Sequence, residues 1–149
     1  MLFKTTLLSL VASVSAIDAY LGWSDKPGNK IVCLNLGADT CCGADGTGFT
    51  WIEFREIPTA WDLQLRYHRR PRCGAYDKLE PSRGRKNVQM KGGPWGGAGY
   101  GFNNKSSDHK IKCVKPSFLE FADGVQYDLS KLDDAPLNEM VQFIPKGLF

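Results

Sequence analysis

Apolar and polar positions alternate most strictly at 61–68, where Trp61, Leu63, Leu65 and Tyr67 take turns with Asp62, Gln64, Arg66 and His68. A period of two places one set on each face of a strand, so this segment predicts a strand with one face in a core. Upstream, Trp51, Ile52, Phe54 and Ile57 make 49–57 a second strand, and Pro58-Thr59-Ala60 between them predicts a β-hairpin over 49–68. Further short strands are expected at 31–36, 111–114, 118–121, 125–129 and 140–144, with Asp123-Gly124 as a tight hairpin turn. A short helix around 130–141 competes with the last of these but meets Pro136. Ile52-Glu53-Phe54 with Trp61-Asp62-Leu63 is echoed by Leu119-Glu120-Phe121 with Tyr127-Asp128-Leu129, as two related hairpins would be. Residues 70–108 have little periodicity and read as long basic, glycine-rich loops anchored by Cys73, Trp95 and Tyr100. The pattern is that of an all-β fold: a small disulfide-stapled sandwich or barrel of short antiparallel strands.

The N-terminus breaks this pattern. Lys4 precedes an apolar run through Leu7, Leu8, Leu10, Val11 and Val14, followed by Ser15-Ala16. That is the layout of a secretory signal peptide over 1–16, and the run is too short to cross a bilayer, which takes about 20 residues. Cleavage after Ala16 is expected first and after Ala19 second. The remaining 17–149 then forms one secreted β-rich domain, with no stable membrane insertion.

Export changes the reading of Cys33, Cys41, Cys42, Cys73 and Cys113, which pair in an oxidising compartment. Adjacent Cys41 and Cys42 bond poorly to each other and read as two anchors at one turn. The preferred pairing sends Cys33 or one of that pair to Cys73, and the other to Cys113. The fifth thiol is buried or links a dimer. A zinc site is disfavoured because no C-x-x-C exists and the two histidines, His68 and His109, lack ligand spacing. No metal or other cofactor is expected.

Charge is unevenly placed along the 149 residues. Net charge is −4 over 17–65, +10 over 66–115 and −4 over 116–149. A basic section of that size fits an anion-binding surface built from Arg66, His68, Arg69, Arg70, Arg72, Arg83, Arg85 and Lys86, with Trp95 as a stacking group. The competing reading is compensation by the acidic ends. The glycine run 92–101 lacks the Gly-Lys-Ser/Thr ending of a phosphate loop. Asn104-Lys105-Ser106 is a glycosylation sequon at Asn104.

Two resemblances extend this. Glu53, then Arg66 or Arg69, then His109 resemble in type and order the base, cation and acid of small secreted fungal guanyl-specific ribonucleases. The chain departs from them in lacking a second early histidine and, at 37–48, a helix before the glutamate strand. In overall layout, with its leader, adjacent cysteines and short aromatic strands, the chain resembles the small secreted cysteine-containing proteins of filamentous fungi. That resemblance implies an effector-like, non-enzymatic virulence or host-modulating factor acting on a host or competitor protein or an anionic polymer. The alternative is a secreted ribonuclease-like hydrolase or toxin.

Overall fold

The computed structural model describes residues 16–23, 28–46, 48–104 and 110–144. The expected leader lies outside the described residues except for Ala16. The described residues form eleven strands and one helix: β1 Ile17–Gly22, β2 Lys30–Leu36, β3 Thr40–Gly43, β4 Phe49–Arg55, β5 Leu63–His68, β6 Tyr76–Pro81, β7 Val88–Trp95, β8 Gly97–Phe102, β9 Lys112–Val114, β10 Phe118–Glu120, β11 Gln126–Asp128 and α1 Asp134–Phe143. They build two open sheets. One has the order β11-β10-β2-β1-β4-β7 and the other β6-β5-β8-β3-β9. Described pairs are antiparallel except β3 with β9.

The core lies between the sheets. In the six-stranded sheet, register aligns Leu119, Ile31, Leu21, Ile52 and Met90 in one row. A parallel row holds Cys33, Ala19, Phe54 and Val88. These meet Leu63, Leu65 and Tyr67 of β5 and Ala98 and Tyr100 of β8 from the other sheet. Phe54 and Tyr67 touch edge to face across the gap, with centroids 5.8 Å apart. The alternation read at 61–68 is therefore the inward row of β5, and the fold is the expected disulfide-stapled all-β one.

Several elements differ from the expectation. β4 and β5 do not form a hairpin, because they belong to different sheets and Pro58-Thr59-Ala60 carries the chain across the core. The echo at 119–129 is by contrast a true hairpin, β10 with β11 around Asp123-Gly124, so the two segments are not copies of one unit. Residues 70–108 are not mainly loop, since β6, β7 and β8 run through them. In β8, Ala98 and Tyr100 face the core while Gly97, Gly99 and Gly101 take the alternate positions. Such a strand has no β-branched signal to betray it. Residues 140–144 are helical rather than extended. Pro136 is tolerated because it sits in the first turn of α1, where a backbone N–H has no intrahelical partner. Leu137 and Val141 then bury one face of the helix.

Candidate functional site

The residues expected to carry function separate into three places. The first is the outward face of β5. Because β8 offers only glycines there, Arg66 and His68 fold flat onto it and become buried. A Cβ on Gly99 would lie 3.3 Å from His68 Nε2 and 2.6 Å from the Thr40 carbonyl. Arg66 donates from Nη1 to Asp39 Oδ1 at 2.8 Å and from Nε to Gln64 Oε1 at 3.2 Å. Its guanidinium lies 5.6 Å from the Tyr76 ring centroid, and the His68 ring meets Tyr76 edge-on. His68 Nδ1 lies 2.7 Å from the Gly74 carbonyl, which can only accept, so Nδ1 carries the proton. Nε2 is then a lone pair, buried without a hydrogen-bond partner among the described residues. Burial lowers the imidazole pKa and the Arg66 charge adds to this, against the Gly74 carbonyl, which raises it. The ring is a neutral base closed off from solvent, with only 1% of its surface exposed.

The second place is the pair of loops flanking β6. Arg69, Arg70 and Arg72 precede the strand, and Arg83, Arg85 and Lys86 follow it. A six-residue strand separates the two groups by about 20 Å, so the expected single patch is two clusters. Acidic partners are interleaved. Arg69 pairs with Asp77, Arg72 with Asp134 at 3.2 Å, Arg85 with Glu80 at 2.8 Å and Lys86 with Glu56 at 3.1 Å. Arg70 is exposed and donates to the Gly46 carbonyl. Arg83 is exposed in a left-handed turn at φ +48° and has no ion pair among the described residues. Trp95 is buried against Tyr67, centroids 5.4 Å apart, and is part of the core.

The catalytic alternative is not assembled among the described residues. Glu53 is on β4 of the six-stranded sheet and is held by Arg55 at 2.8 Å. Arg66 is on the other sheet, and His109 lies outside the described residues. Asn104 is exposed in the turn after β8.

The third place holds the sulfurs. Successive side chains of a strand point to opposite faces, so the two adjacent cysteines of β3 part company. Cys42 turns into the core and bonds Cys33 across the sheets, with Cα atoms 6.3 Å apart. Cys41 turns out, to Cys73 of the β5–β6 loop, and Cys73 also reaches Cys113 of β9, with Cα separations of 5.9 and 6.1 Å. Cys41 is the member of the adjacent pair that meets Cys73, as expected, and the rest of the preferred pairing is corrected: Cys33 takes Cys42, and Cys113 faces Cys73. Sequence spacing hid the cluster because the three cysteines come from β3, a loop and β9. The described residues add no fourth His, Cys, Asp or Glu to the group.

Sequence reasoning also missed an apolar groove of about 390 Å³ between the β10–β11 hairpin and α1, lined by Leu119, Phe121, Tyr127, Met140 and Ile144. Its signal was the helix that Pro136 obscured.

These features define a disulfide-stapled, two-sheet β domain suited to an oxidising compartment. No described helix is long and apolar enough to cross a membrane. Residues 17–117 match the family model ARB_05566_N, an N-terminal domain, over more than half the chain, and the protein belongs to that family. No curated protein and no solved structure matches the chain.

Proposed function

We propose that the protein is exported and acts by contact, as an effector-like, non-enzymatic interaction domain directed at a host or competitor molecule. The observation that carries this reading is the separation of Glu53 and Arg66 onto different sheets, each tied to a neighbour of opposite charge. Cleavage of a phosphodiester needs a base, an acid and a cation converging on one group. Incubation with RNA tests it: wild type and Glu53→Ala are expected to leave RNA intact, whereas cleavage abolished by Glu53→Ala overturns the reading and restores the ribonuclease.

β1 distinguishes the two expected cuts. A cut after Ala16 leaves this strand whole, whereas a cut after Ala19 discards Ile17 and Ala19, both fully buried. N-terminal sequencing of protein from the medium is expected to begin at Ile17. A start at Tyr20 would move the cut to Ala19 and keep export, whereas an intact Met1 on retained protein overturns export.

The two cationic clusters support polyanion contact at the ends of β6. Retention on heparin that weakens steeply with salt is expected, because such contacts release counterions. Reversing Arg69 and Arg70, or Arg83 and Lys86, is expected to lower retention separately. Elution at or below physiological salt removes the anion surface and leaves the basic groups as partners of the acidic ones.

A further inference from the structure

We propose that Cys73 is an exchanging cysteine whose bridge passes between Cys41 and Cys113, and that the exchange presents Cys113 as a surface thiol open to modification by a soluble disulfide. One sulfur holds one disulfide bond, yet Cys73 Sγ stands within bonding reach of both Cys41 Sγ and Cys113 Sγ. The two bridges are therefore alternatives, and with Cys33 bound to Cys42 one of the five cysteines is always left over.

Geometry makes the alternatives interchangeable. The sulfurs of Cys41, Cys73 and Cys113 all lie within 4.8 Å of one another. Cys41 and Cys113 are also direct register partners across the parallel β3–β9 pair. No strand has to move for the bond to pass. Chain entropy does not choose between the bridges, since separations of 32 and 40 residues differ by less than about twofold in closure weight.

Burial distinguishes the outcomes. Cys41 is fully buried, Cys73 half-buried and Cys113 exposed. With Cys73 bound to Cys113, the odd thiol is Cys41, out of reach of reagents. With Cys73 bound to Cys41, the odd thiol is Cys113, in solvent. In the exchange, the Cys113 thiolate attacks Sγ of Cys73, the Cys73–Cys113 bond forms and the Cys41–Cys73 bond breaks. Cys41 leaves as thiolate and takes up the proton that Cys113 lost, so no electron leaves the protein. In the outward step, the Cys113 thiolate attacks one sulfur of glutathione disulfide. A mixed disulfide forms and one glutathione departs as thiolate, the added disulfide being the oxidant.

The test is disulfide mapping of the full native chain. After acid quench, which stops exchange, digestion without reduction is expected to yield both Cys41–Cys73 and Cys73–Cys113 linkages beside Cys33–Cys42. Native treatment with glutathione disulfide is expected to add about one glutathionyl group per chain at Cys113, leaving Cys41–Cys73 as the remaining bridge. Cys41→Ser and Cys113→Ser each retain two bridges, and each is expected to lose adduct formation at least tenfold. One linkage alone in the wild-type map overturns the exchange, whether or not the variants fold. Three reduced thiols at this cluster overturn it too. A reducible dimer through Cys113 in place of the glutathione adduct overturns the small-molecule assignment.

Discussion

Asp39 occupies a left-handed turn position at φ +53°, a conformation that aspartate tolerates better than most residues, and from it holds the buried Arg66. Asp39→Asn removes the charge that compensates this guanidinium and is expected to cost about 1.5–3 kcal/mol in urea unfolding, the worth of a hydrogen bond to a charged group. A cost near zero would mean that Gln64 and solvent suffice. His68 gives a second expectation at this scale. Its pKa is lowered in the folded protein, so the unfolded chain binds the proton more readily. Stability should therefore be full above the ordinary imidazole value of about 6.5 and fall as pH drops below it. Glu120, held down by Lys30 and then Gln126, acts in the same direction but in the carboxylate range, well below that window. Thermal melts at pH 7.5 and 5.5 check this: the midpoint should drop in the wild type, and the drop should shrink in His68→Gln. An unchanged drop in the variant would assign it to other groups.

At the scale of elements, the sequence was informative where side chains alternate in type and silent where they alternate in size. Trp61 to His68 announces β5 because apolar and polar residues take turns. Gly97 to Phe102 conceals β8 because glycine takes the polar turn, and it does so to make room for Arg66 and His68. The same concealment kept that pair looking like exposed cations. The cysteine pair was legible as two divergent anchors, but their partners depended on which sheet each strand joined, and that rests on contacts far apart in the chain. β4 and β5 show the limit from the other side: both were evident as strands, and a turn of ordinary composition sent them to different sheets. The glycine strand makes a sharp prediction. Gly99→Ala puts a methyl 2.6 Å from the Thr40 carbonyl and is expected to destabilise by about 1–3 kcal/mol, as overpacking does. Gly37→Ala is the comparison, because its added carbon would sit 3.6 Å from Thr40 Oγ1 and should cost far less. Equal denaturation midpoints for the two would show that β8 can shift away from β3.

For the whole molecule, the folding unit is larger than the family match. The match stops at 117, yet β10 pairs with β2 through Phe118–Val32 and Leu119–Ile31, and Leu129, Leu137, Val141 and Ile144 complete the core beyond it. A chain ending at Ser117 would uncover the Ile31 side of β2 and the apolar surface beneath α1. Fully burying each such side chain is worth about 1.5–3 kcal/mol, so several lost together approach the stability of an ordinary domain. Expressed alone, 17–117 is expected to show no cooperative urea transition or a much lower midpoint than 17–144. An equal midpoint would make the last strands and helix an appendage.

Among the described residues the two open sheets also leave four rims where another chain of the same sequence could add itself strand to strand. Each rim is blunted in its own way. β9 and β11 offer only three residues apiece, β7 carries Gly92-Gly93-Pro94, and β6 runs through Asp77, Lys78 and Glu80 to end on Pro81. Proline gives no N–H to an incoming strand, and a charged rim makes its approach costly. Concentrated stocks should accordingly stay monodisperse on storage, and fibre growth should begin only when a rim such as that of β6 is made flat and greasy.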